Sequence, residues 1–244
     1  MESLLLTTNV IQPDNYVAFT FFIGTMAMMA ASVFFFFELN NTSPKWRTSV
    51  LVSGLITFIA AVHYYYMRGY NLDTNGDSPT FFRYVDWILT VPLMCVEFYL
   101  ITKKAGAKIA LLWKLIFASL VMLITGYIGE VLDPAQSVLW GVISGAAYFY
   151  IAYLIWFGEV AKLAQTAGPQ VAKATRILAW FVLVGWAIYP LGYILGTPGG
   201  LFGMTFVSSP EAGEAAMDIV YNIADAINKI GFGLVIYALS RKED

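Results

Sequence analysis

The sequence predicts an all-α integral membrane protein, a bundle of seven transmembrane helices formed by residues 1–244 as a single domain. Three observations carry this expectation. The chain is 59% hydrophobic and only 12% charged, against about 25% charged in soluble domains, so a solvated surface would lack the charges to cover it. Seven stretches reach the roughly 20 apolar residues needed to cross a bilayer. The basic residues also gather on alternate connections between those stretches, the asymmetry that orients membrane helices.

The elements follow in order. Span one, Tyr16–Phe37, comes after a segment, Met1–Val10, with no positive n-region, so it is expected to be retained rather than cleaved as a signal peptide. Span two, Val50–Met67, ends before Thr74-Asn75-Gly76-Asp77, which reads as a tight turn. Spans three and four, Phe81–Ile101 and Ile109–Ile128, flank a short basic connection. Span five, Val138–Phe157, has a mostly small face of Gly141, Ser144 and Gly145 leading to Tyr148. Span six, Ile177–Leu195, precedes a flexible Thr197-Pro198-Gly199-Gly200 connection. Span seven is Met217–Leu239. The segments are long and do not alternate, which argues for helices over barrel strands.

Fourteen basic residues against sixteen acidic ones leave a net charge of −2, with no nucleic-acid footprint. One cysteine, Cys95, excludes a disulfide framework, and no Cys/His metal set is present. Lys45, Arg47, Lys103, Lys104, Lys108, Lys114, Lys162, Lys173, Arg176, Arg241 and Lys242 fall to one side and only Arg68 to the other. The basic side is read as cytoplasmic, with the N-terminus outside, the C-terminus inside and the chain in a cell (inner) membrane.

Arg83 and Lys229 remain, both inside spans, with Asp86, Glu97 and Asp225; Asp218 lies near the end of span seven. Ionisable groups at membrane depth are costly and face the bundle interior. A structural ion pair would account for one isolated pair but is a poor account of five groups on two helices. Helical periodicity puts Arg83, Asp86, Thr90 and Glu97 on one face, with Asp86 and Glu97 roughly 16 Å apart at ~1.5 Å per residue. Asp225 and Lys229, four residues apart, also share a face. Lys229 sits near the bilayer midplane, where it is either a paired ammonium or a deprotonated amine of the kind that forms Schiff bases with carbonyl compounds. Trp186, Tyr189, Pro190 and Tyr193 occupy one face of span six; Trp87, Met94, Met122 and Gly126 lie on spans three and four. Each set alone reads as helix packing. Beside a reactive lysine they suit a flat apolar ligand.

RYVDWILTVPL at Arg83–Leu93, WAIYP at Trp186–Pro190 and D-x-x-x-K at Asp225–Lys229 resemble the microbial rhodopsin family over essentially the whole chain. HYYYMRGY, GDSPTFFRYVDW, GYIGE, YNIAD and NKIGFGL are similar to its proteorhodopsin branch. The resemblance implies all-trans retinal bound to Lys229 as a protonated Schiff base. It also implies Asp86 as proton acceptor and counter-ion, Asp225 as second counter-ion, and Arg83 organising water on the outer side. Trp87 and Trp186 would sandwich the polyene, with Met94, Met122, Gly126, Tyr148, Tyr189, Pro190, Tyr193 and Asn228 completing the site. Glu97 would be the proton donor, held protonated by its apolar sequence neighbours, and His63 would contact the acceptor carboxylate; a packing hydrogen bond is the plain alternative for His63. The Asp86, Thr90, Glu97 set is similar to that of outward proton pumps.

The expected function is therefore a light-driven outward proton pump, not a classical enzyme. The alternative is a photosensory rhodopsin signalling to a membrane partner. A different ion pump is disfavoured by Asp86, and a receptor without a chromophore by Lys229 with Asp225. Met94 aligns with a family position where glutamine goes with blue absorption and an apolar residue with green, so the resemblance implies green. The outer release carboxylates of archaeal pumps align with Val207 and Met217. Glu130 is expected at a helix-end surface, and Glu211 and Glu214 in a solvated loop. The small face of span five reads either as close helix packing or, by resemblance to xanthorhodopsin-like pumps, as an opening at Gly141 for an antenna carotenoid. A homo-oligomeric ring is compatible with the short loops.

Overall fold

The computed structural model describes residues 10–74, 76–190 and 210–242, with side chains undescribed at 210–212. Seven of its helical segments are long and apolar enough to span a membrane. We label the α-helices α1 (Tyr16–Glu38), α2 (Arg47–Asp73), α3 (Thr80–Thr102), α4 (Ile109–Tyr127), α5 (Ser137–Trp156), α6 (Glu159–Thr166), α7 (Pro169–Trp180) and α8 (Pro210–Ser240). Consecutive helices pack side by side, α7 meets α8, and α8 closes the ring against α1 and α2.

The polarity is inverted relative to a soluble bundle. Phe37, Phe117, Val138 and Phe157 are exposed, whereas Arg83, Asp86, Thr90, Glu97, Asp225 and Lys229 are buried. Lipid tails solvate apolar side chains, so the bundle turns its costly polar groups inward. The α2–α3 pair, which carries much of the polar interior, is among the most buried of the spans.

The helices run past the apolar stretches that predict them. α2 begins at Arg47 and continues to Asp73. It stops where the Thr74 hydroxyl donates to the Tyr70 carbonyl at 2.8 Å and the Gly76 N–H to that of Asn71 at 2.8 Å. Gly76 has φ +107°, a left-handed value that glycine adopts without a Cβ clash. The connection is thus a turn between helices; Asn75 is outside the described residues, as is the whole Thr197–Gly200 connection.

Span six departs most from expectation. Its helix begins at Pro169, so Lys173 and Arg176 are helical residues and not part of a connection. Gly168, at φ +116°, turns the chain, and Pro169 suits the first helical position because its missing N–H would lack a partner there. The Arg176 guanidinium lies 4.6 Å from the Trp156 ring centroid. Lys162 lies on α6 and Lys114 on α4, both likewise helical. α8 begins seven residues before the predicted Met217. Hydropathy detects only the lipid-facing length of a helix, so polar extensions escape it.

Two five-residue π-helical turns, Ile128–Leu132 and Phe181–Gly185, were not foreseen. Such turns free carbonyls from the regular ladder and concentrate at functional sites. The carbonyls freed in the second are taken up from neighbouring helices. The Tyr148 hydroxyl donates to the Leu183 carbonyl at 2.7 Å, and Asn228 Nδ2 to that of Gly185 at 3.0 Å. A Cβ at Gly185 would lie 2.0 Å from Asn228 Oδ1, so any larger residue there would displace the Asn228 amide.

Candidate functional site

α3 and α8 face each other across the bundle interior and bring three charges together. Lys229 Nζ lies 2.8 Å from Asp86 Oδ2 and also donates to Asp225 Oδ2. The Tyr189 hydroxyl donates to the other Asp225 oxygen at 2.9 Å. Asp86 Oδ1 is buried without a hydrogen-bond partner among the described residues. A cation on Nζ is therefore balanced by two carboxylates, the condition under which buried charge is tolerated.

The remaining expected residues divide. Thr90 is on the predicted face, but its hydroxyl donates to the Asp86 main-chain carbonyl at 2.9 Å rather than to the carboxylate. His63 Nδ1 lies 3.7 Å from Asp86 Oδ1, beyond hydrogen-bond reach, and 2.9 Å from the Ile59 carbonyl oxygen. The histidine is thus at the depth of the acceptor carboxylate while its closer partner is its own helix. Arg83 turns away from the lysine. Its guanidinium donates to Asp218 Oδ1 at 2.8 Å and to Asn222 Oδ1 at 3.0 Å, and Ser78 donates to the same Asp218 oxygen at 2.8 Å.

Asp218 and Asn222 were missed as site residues. The signal was available: Asp218, Asn222, Asp225 and Lys229 follow a four, three, four spacing, one helical stripe. Glu130 is a correction. It is not a surface charge at a helix end: the π-helical turn at Ile128–Leu132 presents it to Tyr84, whose hydroxyl donates to Glu130 Oε2 at 2.7 Å. Met217, aligned with a release carboxylate, is partly buried and packs on the main core; Val207 is outside the described residues. Glu214 is exposed, and nothing is described of the Glu211 side chain.

Glu97 is fully buried on the same face of α3 as Asp86, toward its other end. Ser53 Oγ lies 3.3 Å from Glu97 Oε1 and 3.1 Å from the Ser49 carbonyl oxygen. Glu97 Oε2 has no partner among the described residues.

Next to the charged cluster is a cavity of about 570 Å³, within the range of small-molecule sites. Trp87, Trp186, Tyr189 and Pro190 form one part of its wall, and Met122, Gly126 and Tyr148 another. These are seven of the residues expected to hold a flat ligand. Tyr189 joins the cavity to the charges through Asp225. Met94 is buried but does not line it; Asn228 does not line it either and instead pins the π-helical turn. Tyr193 is outside the described residues. Gly141, Gly145 and the exposed Phe149 also line the cavity, so it opens toward the outer face of α5. A Cβ at Gly141 or Gly145 would meet nothing within 4 Å, so these two glycines do not serve close helix packing. Ser144 does pack, donating to the Met122 carbonyl at 2.7 Å.

Fold and site together define a multi-pass membrane protein with a buried lysine held between two carboxylates beside an aromatic cavity. The family described as bacteriorhodopsin-like protein matches residues 15–242, and the chain belongs to that family. It is 43% identical over 234 residues to green-light absorbing proteorhodopsin from Gamma-proteobacterium EBAC31A08, covering 94% of this chain and 88% of the relative. It is 45% identical over 232 residues to blue-light absorbing proteorhodopsin from Gamma-proteobacterium Hot 75m4, with the same shares. Among solved structures it is similar to xanthorhodopsin, a light-driven ion pump with dual chromophore, at 29% identity and a TM-score of 0.81, covering 96% of each chain. The family implies a retinal chromophore, and the aromatic cavity beside Lys229 fits a flat apolar group.

Proposed function

We propose that the chain is a light-driven outward proton pump of a bacterial cell membrane, carrying retinal on Lys229, with the N-terminus outside and the basic end in the cytoplasm. One observation carries the reading. α3 holds Asp86 against Lys229 Nζ at 2.8 Å and Glu97 on the same face toward the other end, beside Ser53. Such a pair gives a proton one acceptor and one donor on opposite sides of the lysine. The proteorhodopsin relatives support the same reading. The sensory alternative gives Glu97 no task.

Retinal bound at Lys229 supplies visible absorption and a light-driven change of shape. Asp86 Oδ2 receives the proton leaving the Lys229 nitrogen. Asp225 keeps a counter-charge beside that nitrogen, oriented by the Tyr189 hydroxyl. Trp87 and Trp186 wall the cavity and exclude water from it. Arg83, fixed by Asp218 and Asn222, sets positive charge on the outer side. Glu97 holds the replacement proton and returns it toward Lys229 Nζ, with Ser53 beside its carboxyl and bonded to the Ser49 carbonyl toward the basic end. Illumination of retinal-supplied cells in unbuffered medium tests the reading: the medium acidifies, and a protonophore abolishes the change. Pigment without acidification would favour the sensor.

Glu97→Gln leaves pigment and first deprotonation intact and slows reprotonation by about 10²-fold, the low end of what a positioned acid contributes. Flash absorption reads this directly, and an unchanged recovery rate would remove Glu97 from the donor role. Although Met94 does not line the cavity, it stands at the position where, by the resemblance, an apolar residue goes with green absorption, so the native pigment absorbs in the green; a blue absorption maximum contradicts this.

A second chromophore is part of the proposal. The gap at Gly141 and Gly145 opens the cavity wall toward lipid. A hydroxylated carotenoid lying in it passes energy to retinal, an arrangement the dual-chromophore xanthorhodopsin supports. Adding such a carotenoid to purified protein gives carotenoid-shaped bands in the excitation spectrum of retinal emission. Gly141→Trp abolishes them; identical bands in that variant would leave Gly141 without this role.

A further inference from the structure

Asp218 takes no part in the proton transfers assigned above, yet it is buried and ion-paired. Arg83 and Asp218 are 2% and 1% exposed, and Arg83 Nη2 lies 2.8 Å from Asp218 Oδ1. Several segments hold this pair in place. Ser78, on the connection before α3, donates to the same Asp218 oxygen at 2.8 Å, and its hydroxyl lies 3.2 Å from that of Thr80. Asn222, one turn along α8, accepts from Arg83 at 3.0 Å and donates to the Thr20 hydroxyl of α1 at 3.0 Å. The guanidinium carbon lies 5.4 Å from the ring centroid of Phe21 and 5.3 Å from that of Tyr221. A planar guanidinium bonded and stacked in this way has one preferred place.

That place matters because a second site competes for the same cation. Arg83 and Asp86 are three residues apart on α3 and share a face. Lys229 stands between Asp86 and Asp225, one positive charge against two carboxylates when both are ionised. Net negative charge therefore lies about one helical turn inward of Arg83, and Asp86 Oδ1 has no hydrogen-bond partner among the described residues. A guanidinium free to turn would be drawn there. We propose that Asp218 is a positioning residue for the proton transfer, holding Arg83 on the outer side and keeping its charge off the acceptor Asp86. A cation within about 4–6 Å favours an ionised carboxylate by about 1–3 pH units. Withdrawing Arg83 leaves Asp86 the stronger base and so the better receiver of the proton. The inference rests on Asp86 as acceptor. The other titratable groups facing Asp86 are His63 and Tyr64 of α2, Tyr189 of span six, and Asp225 and Lys229 of α8; none of them is altered in the variants that test it.

Acid titration of the retinal-loaded protein in the dark tests this, read as the midpoint of the colour change that follows protonation of Asp86. In Asp218→Asn the midpoint moves to lower pH by about one unit or more, because the freed guanidinium reaches Asp86. Asparagine keeps an oxygen for Ser78 and Arg83, and formation of visible pigment reports that the variant is folded. Light-driven acidification extends to lower pH in step with the midpoint. Asp218→Glu restores the charge and returns the midpoint toward that of the parent. In an Arg83→Gln background there is no cation to position, and adding Asp218→Asn moves the midpoint by less than half as much. That double variant leaves neither charge of the pair unmatched, so the comparison also stands if Asp218→Asn alone forms no pigment. An unchanged midpoint, a move to higher pH, or an equal shift with and without Arg83 overturns the proposal. A colour change that persists in Asp86→Asn would instead overturn the assignment of Asp86, and the proposal with it.

Discussion

Lys229→Ala yields no visible pigment when retinal is added. The lysine amine is buried on α8 against Asp86 and Asp225. Alanine removes the nitrogen and leaves two carboxylates facing each other in the interior. Breaking a buried pair in this way costs about 3–5 kcal/mol, so loss of pigment must be separated from loss of fold. Lys229→Arg makes that separation: it keeps a cation between the carboxylates and has no primary amine. Both variants remain colourless, and the arginine variant retains the circular dichroism of a folded bundle. A covalent visible pigment in either variant would overturn the assignment of the attachment site.

Asp86→Asn abolishes outward pumping and moves absorption to the red. Asparagine is nearly isosteric, so the packing of α3 is kept while one negative charge is lost 2.8 Å from Lys229 Nζ. Positive charge there is then less stabilised before illumination, which narrows the optical gap. The proton also loses its receiving atom, and loss of a positioned base costs about 10²–10⁴-fold, enough to extinguish transport. Asp225 does not substitute, because its oxygens are engaged by Lys229 and Tyr189. Absorption spectra and light-induced pH changes in the same preparation check both halves. Pumping at the parent rate would exclude Asp86 as the acceptor.

The legible part of this site is the part written within single helices. Asp86 and Glu97 on one face of α3, Asp225 and Lys229 on α8, and Trp186, Tyr189 and Pro190 on span six follow from spacing alone. Pairing between helices was harder. Arg83 binds Asp218, a residue 135 positions away that the sequence did not single out as its partner. His63 lies 3.7 Å from Asp86 Oδ1, beside the acceptor as expected, while its shorter contact is to the Ile59 carbonyl, four residues back. Each outcome depends on a rotation of one helix against another, which periodicity leaves free.

The sequence by itself determined the seven-helix membrane class, the buried lysine with two carboxylates on hand to balance it, and the placing of Asp86 and Glu97 on one face of α3. These follow from hydropathy and from the fixed 3.6-residue turn, both local properties. Only the tertiary structure decided how the helices lean and where they loosen. The π-helical turn at Ile128–Leu132 carried Glu130 inward to Tyr84. The one at Phe181–Gly185 drew Asn228 from the expected ligand wall into holding a main-chain carbonyl. An extra residue in a helical turn is stable only when distant side chains accept or donate to the groups it frees. No stretch of sequence contains those partners; the folded bundle brings them together.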